Sequence, residues 1–118
     1  MRLPPIDPAR WNAVWTADLD VLRRLRASGD KPEIEREIDV SFRGDYVTLK
    51  RVADASSNFG FSVSDFTERD EEGAPFLLLV RHQPATDDAM RELTETYLQI
   101  EDTFGVECDG WGCVAQAS

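Results

Sequence analysis

The sequence predicts an α+β fold, a ferredoxin-like β-α-β-β-α-β sandwich with an additional N-terminal helix. Three observations carry that expectation. Apolar residues recur at helical spacing in three segments, and in the segments between them they alternate or run together. The segments follow in the order helix, strand, helix, strand, strand, helix, strand. After the leading helix, this is the order in which two helices cover one face of a four-stranded antiparallel sheet.

Asp7-Pro8 reads as an N-cap followed by proline in the first helical position. Trp11, Val14, Trp15, Leu19, Leu22 and Leu25 then share one face, so a first helix is expected from Pro8 to Ala27, ended by Gly29 and Pro32. From Ile34 the period changes to two. Ile38, Val40 and Phe42 point one way and Glu35, Glu37, Asp39 and Ser41 the other, as in a half-buried strand. Gly44-Asp45 opens a second helix whose stripe of Leu49, Val52, Ala53, Ser56 and Phe59 closes at Gly60, a residue suited to the left-handed turn after a helix. Phe61, Val63 and Asp65 alternate with serines in the next strand.

The polar run TERDEEG, Thr67 to Gly73, joins that strand as an antiparallel hairpin to PFLLLVRH. The unbroken apolar centre of PFLLLVRH predicts a central strand buried on both faces. Thr86 caps a third helix, with Asp87 and Asp88 in the first turn where the helix dipole favours anions. Met90, Leu93, Tyr97, Ile100 and Phe104 form its buried stripe, Gly105 ends it, and Val106 starts the last strand. One domain is expected over residues 1–118, with the leading helix at about 8–27 and the core at about 33–115.

A chain of 118 residues suits one domain able to bury roughly 65% of the surface it exposes unfolded. With 42% apolar and 31% charged residues it is expected to fold, with a heavily charged exterior. MRLPPIDPAR has prolines where a signal peptide needs an apolar run, and no segment approaches the length of a membrane span. A cytoplasmic protein without a membrane partner is therefore expected. Two cysteines and one histidine fall short of a structural zinc set, so no metal and no cofactor is expected. Cys108 and Cys113 are expected to be unpaired thiols. On a continuous strand they face opposite sides, about 16 Å apart, and only a hairpin turn at DGWG would join them.

The net charge of −10 is concentrated near the C-terminus, where Pro84 to Ser118 holds eight acids against Arg91 alone. Such a face repels a nucleic-acid backbone and attracts a basic protein segment, so direct RNA or DNA binding is not expected. The plain alternative is that the charge serves solubility. In the third helix Asp88, Glu92, Glu95, Gln99 and Asp102 form a polar stripe opposite the apolar one, and nothing in it is basic. Glu101 and Asp102 lie near the helix C-terminus, where the dipole disfavours anions by up to about 1 kcal/mol each.

Catalytic machinery is not visible, and no catalytic residue is assigned. His82 shares the parity of Phe76, Leu78 and Val80 and reads as a structural core or edge histidine. Glu35, Glu37 and Asp39 lie roughly 6.8 Å apart in steps of two, a spacing that catalytic carboxylates use, but alternating acids on a strand more commonly form a solvated face. The chain has no phosphate-binding glycine loop, GxSxG elbow or HExxH helix.

The segment ECDGWGC places Trp111 between two glycines. On an extended strand Gly110 and Gly112 leave one face without side chains while Trp111 occupies the other, and Asp109-Gly110 permits a bulge. A sheet edge fitted to its neighbour is the structural reading. A tryptophan beside an acidic helix is also a suitable protein-contact anchor.

The ending FGVECDGWG, the RASGDKP turn before EIEREIDVSF, and NFGFSV before the second strand resemble the family of the regulator of ribonuclease E activity B (RraB). The resemblance spans roughly Thr16 to Val114, and its most specific part falls on Asp109, Gly110, Trp111 and Gly112, to which it attaches no catalytic role. It implies a ferredoxin-like domain with a leading helix, and a non-enzymatic protein that binds an endoribonuclease and lowers its RNA cleavage. This chain departs from the family pattern in having no histidine near Val40 and no long acidic tail after CVAQAS. The expected function is a non-catalytic regulator that docks on a basic segment of a protein such as ribonuclease E. The contact residues would be Asp88, Glu92, Glu95, Asp102 and Trp111. The alternative is a ferredoxin-like domain that binds a small ligand, and a weaker one is a hydrolase using His82 with an acid.

Overall fold

The computed structural model describes residues 5–116. In chain order the elements are α1 (Pro8–Ala27), β1 (Arg36–Arg43), α2 (Tyr46–Ala55), a 3-10 turn (Ser56–Phe59), β2 (Ser62–Thr67), β3 (Phe76–Gln83), α3 (Asp87–Phe104) and β4 (Glu107–Cys113). The sheet order is β2-β3-β1-β4 with every pair antiparallel, the ferredoxin-like arrangement that the sequence predicts.

Each helix starts where a short polar side chain captures an orphan backbone N–H. Asp7 accepts from the Arg10 N–H at 3.0 Å, Asp45 from Thr48 at 2.9 Å and Thr86 from Ala89 at 3.3 Å. Gly60 and Gly105 stop the second and third helical segments at φ +78° and +72°, where a side chain would be strained.

The period-two pattern of β1 sorts its residues as expected. Ile38, Val40 and Phe42 are fully buried, together with Leu77 and Leu79 of β3, Leu49 and Val52 of α2, and Met90, Leu93 and Ile100 of α3. Helix α3 packs between α1 and α2. Buried polar contacts fix α1 against it: Asp18 accepts from the Thr94 hydroxyl and the Tyr97 hydroxyl, both at 2.6 Å. Burial, then the bond to Asp18 and its charge, raise the Tyr97 pKa, so the phenol stays a donor.

Several local expectations are corrected. The first strand starts at Arg36 and not at Ile34, because the Arg36 guanidinium folds back to donate to the carbonyls of Ile34 and Lys31. The second helix does not run unbroken to Gly60. Its last turn tightens to 3-10 at Ser56, whose hydroxyl bonds back to the Ala53 carbonyl at 2.8 Å. In β2 the register shifts between Val63 and Asp65, so these two face opposite sides instead of sharing one. Strand β3 is interior to the sheet, yet only one of its faces is covered. Leu77 and Leu79 are buried, whereas Phe76, Leu78 and Val80 on the other face are half-buried.

Arg36 occupies the inward parity of β1 and is paired with Asp30, both side chains being almost wholly buried at 1% and 0% exposure. The same carboxylate accepts from the Gln116 N–H at 2.7 Å, and the Gln116 carbonyl accepts from Lys31 at 2.7 Å. Burial works against the charge on Asp30. The Gln116 N–H and the Arg36 guanidinium outweigh it and hold the carboxyl below its ordinary value.

Arg36→Ala leaves a buried carboxylate unpaired and is expected to lower the unfolding free energy by about 3–5 kcal/mol in urea titrations at neutral pH. Because the Asp30 pKa is depressed in the folded state, its contribution is present above the unfolded value of about 4 and is lost as pH falls through the folded one. Acid titration of Asp30→Asn should therefore give a shallower loss of stability below about pH 4 than the unsubstituted chain. An unchanged slope would remove Asp30 from the account of acid unfolding.

Candidate functional site

Strand β4 lies at one edge of the sheet, and a bulge sets its geometry. Phe42 faces Cys108, Ser41 faces Gly110, Val40 faces Trp111 and Ile38 faces Cys113, which leaves Asp109 as an extra residue. Gly110 adopts φ +115°, a conformation that side chains resist, so the bulge forms where glycine permits it. The extra residue changes the parity. Cys108 and Cys113 both lie opposite core residues of β1, on the same face as Trp111, and not on opposite faces as a continuous strand would have them. Both thiols are free.

Trp111 is half-buried against the core cluster. Gly112 faces Asp39 on the other side of the sheet, where an added Cβ would lie 3.3 Å from the Asp39 carboxylate. The two glycines thus do different work, Gly110 by its backbone angle and Gly112 by leaving room for a carboxylate. Burial and the neighbouring Glu37 raise the Asp39 pKa, and the Gly112 N–H partly opposes them. Asp109 is exposed, 3.6 Å from the Arg43 guanidinium.

The acidic stripe of α3 divides into two parts. Asp88, Glu92 and Glu95 are exposed and make no ion pair among the described residues. Asp102 is held by Arg10 of α1, which also binds Glu101. Glu101 in turn accepts from the Cys108 N–H at 2.6 Å, so it ties α1, α3 and β4 together. The anions at the helix C-terminus are offset within the molecule, and Arg10 supplies the basic group that the helix itself lacks.

Beside Glu95 a cleft of about 310 Å³ is lined by Pro8, Trp11 and Gln99 among others. Arg91 lies over the rings of Trp11 and Trp15 at 5.9 and 6.0 Å. The structure does not bring Trp111 to this ridge, since its ring turns to the core while the acids turn outward.

The groups considered for catalysis remain separate. His82 is exposed, with Nε2 3.6 Å from the Glu37 carboxylate, beyond hydrogen-bond length, so of the core or edge placement expected for it the core one is corrected. Glu35 precedes β1, Glu37 is exposed on the strand and Asp39 is half-buried. No group of His, Cys, Asp or Glu among the described residues is placed to hold a metal ion. Burial pushes the Cys108 thiol up to about 12 and also raises Cys113, although the nearby Arg36 opposes the latter shift.

Sequence reasoning missed three pairings, and each had a signal. Arg36 stands at the inward parity of Ile38, Val40 and Phe42. Asp18 stands between Val14 and Leu22 on the apolar side of α1. Arg10 lies one turn from the Asp7 cap.

A family model described as "RraB: Regulator of ribonuclease activity B" matches residues 15–113. The chain is also similar to the Regulator of ribonuclease activity B of Aeromonas salmonicida (strain A449). They are 29% identical over 116 residues, covering 94% of this chain and 97% of the relative. The matched span runs from α1 through the whole of β4, so it includes the bulge, the acidic helix and the buried ion pair.

With its pKa near 12, Cys108 is expected to react with a disulfide reagent at pH 8 more than about tenfold slower in the native protein than in denaturant. In denaturant without reductant both thiols should titrate, and finding neither would contradict the free pair. Trp111→Ala removes a half-buried ring and should cost about 2 kcal/mol, below the ~3–5 kcal/mol of a fully buried aromatic.

Proposed function

The chain belongs to the family of regulators of ribonuclease activity B, and from that premise we propose that it is a non-catalytic cytoplasmic protein that binds a ribonuclease through a basic segment of the enzyme. Ribonuclease E and enzymes of its type are the candidate partners. The observation that carries this reading is the outward ridge of Asp88, Glu92 and Glu95 on α3, exposed acids without an ion-pair partner among the described residues. Such a ridge attracts Lys and Arg, speeds encounter with a basic segment and repels RNA, so the ribonuclease is contacted as a protein and not through its substrate. Asp102 contributes to the field while its carboxylate remains bound to Arg10. Trp111 acts in this reading as a structural support for the edge.

Glu92→Lys/Glu95→Lys should slow association with ribonuclease E by about tenfold or more at low salt and leave the unfolding midpoint nearly unchanged. The difference from the unsubstituted chain should shrink as salt rises, because exposed charges are screened over ~8–10 Å at physiological ionic strength. Equal rates and equal salt dependence in stopped-flow binding would make the ridge a solvated face. Non-catalysis is tested separately. No turnover of RNA or simple esters is expected, and a turnover abolished by His82→Ala would overturn it.

A further inference from the structure

We propose that the uncovered face of the sheet is a second docking surface, which takes a protein segment carrying both apolar and basic side chains. Antiparallel sheets that face water normally alternate apolar inward and polar outward. Strand β3 does not. Its inward residues Leu77 and Leu79 fill the core, and its outward residues Phe76, Leu78 and Val80 form an apolar row ~13 Å long at ~3.3 Å per residue. The row runs along an interior strand, so it lies near the middle of the face and not at an edge.

The surroundings of the row specify the occupant. On β1 Glu37 and Asp39 flank it, and on β2 Asp65 does. At the Phe76 end a cleft of about 510 Å³ is lined by Arg43, Asp65, Asp70, Glu71 and Glu72 among others. Arg43 does not reverse the sign there, because it is paired with Asp70 and lies over the Phe76 ring at 4.7 Å. Gly110 and Gly112 of β4 are turned to this same face opposite Ser41 and Asp39, on the far side of β1 from the row, and the Asp39 carboxylate occupies the room that Gly112 leaves.

Nucleic acid is repelled by this rim. A second copy of the chain would bring an identical acidic rim against it. A segment with apolar side chains along the row and Lys or Arg at its margins answers both features. The surface lies on the opposite side of the sheet from α3, so it is distinct from the ridge of Asp88, Glu92 and Glu95. The inference rests on the reading of the chain as a protein that acts by binding protein.

The test is an NMR titration of the isotope-labelled full chain with a synthetic peptide of alternating lysine and leucine, and with its counterpart bearing glutamate in place of lysine. The expected result is amide shifts concentrated on β1 and β3 around Asp39, Leu78 and Val80 with the lysine peptide, and none with the glutamate peptide. Leu78→Lys should weaken binding by about tenfold, and Glu92→Lys/Glu95→Lys should leave the sheet-face shifts in place. Asp65 and Glu72 are exposed, so Asp65→Lys/Glu72→Lys gives the same readout even where the Leu78 variant folds poorly. Shifts confined to α3, undiminished binding by the Asp65 and Glu72 variant, or sedimentation showing that a second copy covers the face would overturn the proposal. A map confined to α3 would leave the regulator reading standing and remove only this one, whereas failure of ribonuclease binding with an intact sheet-face map would do the reverse.

Discussion

A guanidinium on the inward side of a sheet forces the rest of the chain to bring it an anion. Arg36 stands at the buried parity of β1, and the anion that reaches it is Asp30, from the turn that follows α1. Desolvating two charges is costly, and further hydrogen bonds offset much of that cost, although the second Asp30 carboxylate oxygen is buried without a partner. Arg36 donates to the carbonyls of Ile34 and Lys31, and Asp30 accepts the Gln116 N–H. Three parts of the chain are tied by this one contact: the exit from α1, the start of β1 and the segment beyond β4.

Holding both ends of β4 makes the Asp109-Gly110 bulge consequential. Val106 is buried at one end and Gln116 is bound to Asp30 beyond the other, so one extra residue between them cannot be absorbed by slippage. It must change the parity in mid-strand, and Gly110 accepts the backbone angle that this requires. Cys108, Trp111 and Cys113 then all turn toward the helices, and Gly112 turns to the open face against Asp39. The glycine-tryptophan-glycine segment is thus a fitting between the two sides of the sheet. It seals one with an aromatic ring and keeps the other low.

The element order, the caps at Asp7 and Thr86 and the inward rows of β1 and α3 were legible because each is a local pattern. An N-cap needs a neighbour three residues away, and an amphipathic stripe needs only its own period. What escaped depended on two segments meeting. The bulge in β2, and the change of parity that the bulge permitted at Asp109-Gly110 imposes on β4, are decided by register with β3 and β1, and the period-two reading of Val63 with Asp65, or of Cys108 against Cys113, cannot see a partner strand. The polar contacts inside the core had a different defect. Asp18, Arg36 and Thr94 each interrupt an apolar pattern, which marks them as anomalous, but their partners lie in other elements. The apolar run of β3 was read as burial on both faces because sequence reports hydrophobicity and not what covers it.

Those partners also change what the net charge of −10 means. Asp18 is consumed by Thr94 and Tyr97, Asp30 by Arg36, Asp70 by Arg43, and Glu101 and Asp102 by Arg10. These acids hold elements together; for Asp30, Asp70, Glu101 and Asp102 the contribution to a distant partner is damped by the cation each one faces, and Asp18 is shielded by burial. Other exposed carboxylates have no such cation among the described residues, and two groups of them stand out. Asp88, Glu92 and Glu95 line the outside of α3, while Asp65, Glu71 and Glu72 border the open side of the sheet. An even coating would serve solubility without favouring any direction of approach. Two patches on opposite sides of one sheet give a basic partner two directions, and only the sheet side adds an apolar row against which a segment can be desolvated. In the proposed reading, encounter through the α3 ridge and retention on the sheet face are separable, the first governed by salt and the second by the contacts of Phe76, Leu78 and Val80.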